Sequence, residues 1–290
     1  MAASFLVTAI GAEISWGSRN EDGRKIDLIC SYDHPWFEKE RFIILVQVKS
    51  GESFGEKLSN GFKLKSSAKN SAKRTTHPIC IIWINRKSSD SFWAYIHPRT
   101  ESKPQKYGDN HRLNPTTRYD LARCQAQFLP IKKGGSGIIM NEKEIDLKKI
   151  RKNSLAKYKS YQKKGLFCPS LGRIEVTRIG WRHMFRMSRA SSNKAKSYTT
   201  INFLDKIISD TPTDIYISKC ELTEQAEYNY RKSEYVLIYR DVKEQNDQLS
   251  KIKVVVRIIE EIRWPKDWHI NSTLTQFIER RNVLLSCYYK

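Results

Sequence analysis

Arg24-Lys25-Ile26-Asp27-Leu28-Ile29-Cys30 and Phe42-Ile43-Ile44-Leu45-Val46-Gln47-Val48-Lys49 are the two stretches on which the fold of this chain turns. Most residues of both are apolar and several are β-branched, which predicts strands over 24–32 and 41–49 joined through Asp33-His34-Pro35-Trp36. Strand side chains alternate between faces, so Gln47 and Lys49 project from one side of theirs. A hairpin would bring Asp27 to the same end of the sheet.

Working outward, residues 2–16 read as a helix with Phe5, Leu6, Ala9, Ile10 and Ile14 along one stripe and Glu13 near its edge. Residues 17–23 are a loop. After Ser50-Gly51 comes a polar stretch, basic beyond Glu56, with a helix over about 66–75. Pro78 to Asn85 is a near-continuous apolar run, expected as a strand buried on both faces, and Ser91 to Ile96 is a further strand. Helix, two strands, helix, strand, strand is an α/β layer arrangement. Residues 98–115 read as loop, 117–127 as helix, and 132–137 as a break.

The composition then shifts. Between Lys148 and Thr200 there are fifteen Lys or Arg and one acid, Glu175, so this segment supplies +14 of the net charge of +21. A linker is placed near 150–170 and a second domain at 171–290, with a domain of 1–150 before it. The second domain is expected to be a smaller, basic α+β unit. It would hold a strand at 173–177, a helix around 198–209, strands at 234–240 and 253–259, and a last helix at 273–285.

A pI of about 9.7 points to a polyanionic partner, nucleic acid first. No apolar run is long enough to span a bilayer, so no membrane partner is expected. The N-terminus lacks a basic stretch followed by an apolar one, so a signal peptide is not expected. The six cysteines are scattered with no CxxC, which argues against structural zinc. Cys30 and Cys80 lie in apolar strands and read as buried thiols, which fits a cytoplasmic protein.

A carboxylate, an amide and an ammonium at one sheet end can hold a divalent metal, a water and a phosphate, the requirements of phosphodiester hydrolysis. Over roughly residues 1–100, Ile26-Asp27-Leu28, Val46-Gln47-Val48-Lys49-Ser50-Gly51, the Pro78 strand and Phe92-Trp93 resemble the PD-(D/E)xK nuclease superfamily. The resemblance is to a branch with Gln-x-Lys in place of Glu-x-Lys, of the kind found among bacterial defence and restriction nucleases. It implies a restriction-endonuclease-like central mixed sheet flanked by helices. It also implies Mg²⁺, with Mn²⁺ as a substitute, held by Asp27, Gln47 and the Val48 backbone carbonyl. Lys49 would orient the attacking water and neutralise charge on the phosphate, and Glu13 would stand as the upstream acid. Gln47, being neutral, argues against two metals. Ordinary solvated polarity at strand ends is the competing reading of the same residues.

Lys69, Lys73 and Arg74 in the first half, and Arg178, Arg182, His183, Arg186 and Arg189 in the second, are candidate phosphate contacts. Arg182, Arg186 and Arg189 recur at helical spacing, with His183 among them. Trp83, Trp93 and Trp181 read as core or interface residues.

The expectation is a Mg²⁺-dependent DNA endonuclease of restriction or anti-phage defence. A homodimer and a regulatory partner protein are compatible with it. Its rivals are a metal-independent, toxin-like ribonuclease centred on His183, for which RNA would be the partner, and a nucleic-acid-binding protein that does not cut.

Overall fold

The computed structural model describes residues 2–17, 26–72, 75–88, 90–98, 103–128, 139–140, 147–244, 251–270 and 272–290. The chain divides into two compact units. One takes Met1–Ala122 with Trp264–Ile278, the other Arg123–Arg263 with Glu279–Lys290.

The first unit is a mixed α/β layer. It begins with helix α1 (Ala2–Ile10), followed by strands β1 (Glu13–Trp16), β2 (Leu28–Asp33) and β3 (Arg41–Ser50). After a small hairpin of β4 (Gly55–Leu58) and β5 (Gly61–Leu64) come helix α2 (Ser66–Ala72), β6 (Ile79–Ile84) and β7 (Ser91–Ile96). The central sheet runs in the order β1-β2-β3-β6-β7. Only β3 and β6 pair in parallel, with Gln47 level with Ile81 and Lys49 level with Trp83. The other neighbours in this sheet are antiparallel. β4 and β5 form a second sheet with β8 (Gln105–Gly108), a short strand in the stretch expected to be loop.

One face of the central sheet packs Ile79, Ile81 and Trp83 against Phe62, Leu64, Ala68 and Ala72 of the small sheet and α2. On the other face Tyr32 Oη donates to the Arg118 carbonyl of helix α3 (Thr117–Phe128) at 3.4 Å. Strand β6 is buried along five of its six residues, as its unbroken apolar run requires.

The second unit is β-rich. Helix α4 (Leu147–Lys164) leads through β10 (Leu166–Cys168) and β11 (Gly172–Ile174) to helices α5 (Arg178–Met184), α6 (Ser191–Asn202) and α7 (Leu204–Ile208). Four long antiparallel strands follow: β12 (Asp214–Gln225), β13 (Tyr228–Glu244), β14 (Lys251–Pro265) and β15 (Glu279–Tyr289). Earlier in the chain, β9 (Ile139–Met140) adds a short parallel pair to the end of β13. Tyr158 and Tyr161 of α4, Met184 of α5, and Ile201, Leu204, Ile207 and Ile208 of α6 and α7 pack onto Leu237, Tyr239, Val256, Ile258 and Leu284 of the sheet. Gly180 lets α5 lie directly on β15, since a β-carbon there would meet the Leu284 carbonyl oxygen at 2.4 Å.

Four expectations need correction. The first helix ends at Ile10, where Gly11 takes φ +67° and its N–H returns to the Val7 carbonyl, so Glu13 lies on a strand instead. The expected linker is mostly α4. Ile150, Ser154, Tyr158 and Tyr161 are buried along one of its faces, and the dense lysines of the other face masked that stripe. The C-terminal unit therefore starts well before residue 171 and is not the smaller of the two. The expected last helix is a 3₁₀ turn (Ser272–Phe277) and strand β15. Six consecutive residues of β15 are buried, which leaves no periodicity to separate strand from helix, and pairing with β14 decides the outcome. The break expected at 132–137 falls outside the described residues.

Candidate functional site

Asp27 immediately precedes β2. Because Leu28 pairs with Val46, Asp27 comes level with Gln47. Its N–H donates to the Val46 carbonyl at 2.9 Å, and its own carbonyl accepts from the Gly17 N–H at 3.0 Å. One carboxylate oxygen, Oδ2, takes a short hydrogen bond from the Val48 N–H. Among the described residues Oδ1 takes none. The N–H and C=O of a strand residue point to the same edge, so the Val48 carbonyl faces the Asp27 side as well. Sequence register and backbone hydrogen bonding thus bring Asp27, Gln47 and Val48 together, as the hairpin predicted.

Gln47 is fully buried and Lys49 half-buried. Both lie on the face that carries Ile81 and Trp83. The Lys49 ammonium lies 5.2 Å from the centre of the Phe54 ring. A chain that needed only a packed strand would place an apolar residue at position 47, because burying an amide costs free energy unless it is bonded. The oxygens of Asp27, Gln47 and Val48 are hard donors with one negative charge among them. That set fits a single Mg²⁺ that keeps several of its waters. Among the described residues no three His, Cys, Asp or Glu side chains converge as a metal-binding group.

Glu13 does not join this site. It sits opposite Ser31, four residues along β2 from Asp27 and therefore about 13 Å away. It is exposed and ion-paired with Arg41 at 3.0 Å, while Arg41 also donates to Ser31 Oγ at 2.9 Å. The helix to which Glu13 was assigned ends before it.

Among the expected phosphate contacts, Lys69 is buried, 2% exposed, with Nζ donating to the Lys103 carbonyl and to Gln105 Oε1, each at 3.1 Å. It ties α2 to the segment leading into β8 and cannot reach a nucleic acid without breaking those bonds. Lys73 and Arg74 lie outside the described residues. Arg178, Arg182 and Arg186 are exposed, and His183 and Arg189 are half-buried. The helix stops at Met184, so Arg186 and Arg189 lie in the turn after it and do not continue a helical face. Arg189 donates to the Met184 carbonyl at 3.1 Å and lies over the Tyr288 ring. Burial, followed by the charges of Arg186, Arg257 and Arg189, holds His183 below the ordinary histidine range, with Glu234 opposing them. Arg257, from β14, is a member of this basic cluster that spacing alone could not reveal.

Trp83 and Trp93 are buried as expected. Trp181 packs between Tyr158 and Phe185, at 5.0 and 4.3 Å between ring centres. Sequence reasoning passed over Trp16, 74% exposed on β1 opposite Leu28. It also missed a basic groove beyond Gly51, lined in part by Lys57, Lys65, Arg86 and Lys87. Its residues are scattered over more than thirty positions, which left no local signal.

No helix of the described residues is long and apolar enough to cross a membrane. No protein-family model, no curated protein and no solved structure matches the chain.

Proposed function

We propose that the first unit is a Mg²⁺-dependent endodeoxyribonuclease acting in restriction or anti-phage defence, and that the basic second unit binds or selects the DNA. One observation carries the reading. The Asp27 carboxylate is anchored on the Val48 N–H, beside a buried Gln47 and one strand position away from Lys49. A mixed sheet of this order, with α1 before it and α2 between β3 and β6, agrees in outline with the nuclease resemblance.

Asp27 Oδ1, the Gln47 carboxamide oxygen and the Val48 carbonyl would hold the metal. When bound, Mg²⁺ would lower the pKa of a coordinated water and polarise the scissile phosphate. The Val48 N–H fixes the rotamer of Asp27, so that its free oxygen is oriented in advance. Buried on the sheet face, Gln47 presents a neutral oxygen that adds no repulsion toward the phosphate. Lys49 would neutralise charge developing on the phosphate and align the water, and Phe54 restricts where its ammonium can go.

The test is cleavage of supercoiled plasmid by the full chain with Mg²⁺, with EDTA, and by Lys49→Ala and Asp27→Asn. Nicking that needs Mg²⁺ and falls by at least about 10²-fold in either variant supports the reading, since a positioned proton-transfer group contributes about 10²–10⁴-fold. Cleavage that survives EDTA and both substitutions refutes it and moves attention to His183, whose depressed pKa would leave a neutral imidazole available at neutral pH.

A further inference from the structure

Strands β3 and β6 run in parallel and end together at Ser50 and Ile84; the turn after β6 carries Arg86 and Lys87, whereas the turn after β3, Gly51-Glu52-Ser53-Phe54, carries one acid and no cation. A groove of about 540 Å³ opens there, lined by the cations Lys57, Lys65, Arg86 and Lys87 and also by the acids Glu52 and Glu56. Ligand sites commonly fall within ~300–1,000 Å³.

Several contacts hold this groove in shape. The Trp83 indole N–H donates to the Gly51 carbonyl at 2.9 Å. Gly55 lies so close to the Trp83 ring that a β-carbon would meet it at 2.6 Å, so only glycine lets the β4 backbone sit on the indole. Phe54 immediately precedes the lining residue Gly55. Its carbonyl accepts from the Lys65 N–H at 2.9 Å, and its ring centre lies 5.2 Å from the Lys49 ammonium.

The charges are unevenly answered. Lys57 is ion-paired with Asp90, and Lys87 with Glu52 at 2.8 Å. Arg86 is held through Nε and Nη2 by the hydroxyl of Ser50, at 3.2 and 2.9 Å, a partner that offers no charge. Lys65 forms no ion pair among the described residues, although its charge, after that of Lys87, helps hold the Glu52 carboxyl below the usual range. Arg86 is therefore a pre-positioned guanidinium next to the residue that follows Lys49. Its planar fork suits a phosphate's oxygens.

We propose that this groove holds the phosphodiester backbone of the DNA strand flanking the cut, with Arg86 and Lys65 as the principal phosphate contacts and Lys87 at the rim. The placement rests on the nuclease reading, because it sets the groove beside the cutting residues. The binding chemistry itself does not need cleavage. A backbone held here would approach Lys49 past Phe54, and the groove would act on affinity and register without touching the reacting atoms.

The experiment is fluorescence anisotropy of a labelled DNA duplex with the full chain across a salt series, without metal, for Lys65→Ala, Arg86→Ala, Lys87→Ala and the control Lys39→Ala at the opposite end of β3. Each lost phosphate contact should reduce the slope of log K against log salt by about 0.9. We expect that reduction for Lys65→Ala and for Arg86→Ala, a smaller one for Lys87→Ala, and no change for Lys39→Ala. In the plasmid assay KM should rise while kcat holds. Unchanged slopes in both principal variants, or an equal drop in the control, would overturn the groove. Lys87 is almost wholly exposed, so its variant keeps the test valid if another fails to fold. Altered slopes with no Mg²⁺-dependent nicking in the parent protein would leave the groove standing and remove the nuclease. Intact nicking with unaltered slopes would do the reverse.

Discussion

Each unit places polar side chains inside an apolar sheet, and the two do so in opposite ways. In the second unit Glu260 of β14 is completely buried between three guanidiniums. Arg123 and Arg280 reach one carboxylate oxygen at 2.8 Å, and Arg231 reaches the other at 3.1 Å. The three arginine side chains are 10% exposed or less. In the first unit Gln47 is as deeply buried, but its neighbours Asp27 and Lys49 are only half-covered, and the groove beyond Gly51 opens beside them. A buried charge enclosed by partners holds a fold together. A buried polar group next to a half-exposed acid and ammonium is an arrangement that a bound ion and a phosphate can complete.

Removing the enclosed charge should have the largest effect. Glu260→Ala leaves three buried guanidiniums without their anion and should cost about 3–5 kcal/mol of stability, read by denaturant unfolding. Asp27→Asn keeps the shape of its side chain at a half-exposed position and should cost much less, while abolishing Mg²⁺-dependent cleavage. If the two variants are equally destabilised, the contrast between the units fails.

Lys69→Met comes next. It removes an ammonium that serves the Lys103 carbonyl and Gln105, so stability should fall by about 1–3 kcal/mol. The salt dependence of DNA binding should not change. A reduced salt slope would return Lys69 to the phosphate contacts.

The units should also differ in acid. Burial lowers the His34 pKa to about 4, and its Nδ1 accepts from the N–H groups of Trp36 and Phe37, both at 3.2 Å. The folded protein prefers the neutral ring, so its contribution is full above the ordinary value of 6.5 and declines as pH falls toward 4. For Glu260, burial alone would raise the pKa, but Arg123, Arg280 and Arg231 together hold it well below the ordinary 4.5. Its contribution is full above 4.5 and is lost only in stronger acid. Thermal melts from pH 7 downward should therefore weaken first through the histidines held neutral, His34 in the first unit and His183 in the second, before Glu260. In His34→Gln the slope between pH 6.5 and 4 should flatten, and an unchanged slope would reject this assignment.

The smallest effect is chemical. Burial pushes the Cys30 and Cys287 thiols up to about 12 and Cys168 to about 11, while Cys220 is exposed on β12. A thiol reagent should modify Cys220 quickly in the native protein and these three only on unfolding. Fast labelling of Cys30 would mean that the first unit opens far more readily than its packing implies.

Much of the first unit was legible because its signals are local. The apolar runs over 41–49, 78–85 and 91–96 became strands, and 117–127 a helix, since each is long and consistent in character. The end of α1 was misjudged because the stripe Phe5, Leu6, Ala9, Ile10, Ile14 outweighed Gly11, whose positive φ stops the helix. In the second unit, α4 reads as linker because its eight basic residues hide four buried positions, and β15 reads as helix because six consecutive buried residues leave no period. Trp83 and Trp93 went to the core as their size and surroundings demanded.

By itself, the sequence determined the strand that carries Gln47 and Lys49 and the one that Asp27 immediately precedes, the face shared by Gln47 and Lys49, and the excess of positive charge. Alternation along a strand and summed charge depend only on the order and kind of residues. The tertiary structure alone decided that Glu13 pairs with Arg41, that Lys69 is buried, that Arg257 stands near His183, and that Lys65 and Arg86 line one groove. Those relations join residues far apart in the chain, and only strand register and burial bring them within reach of one another.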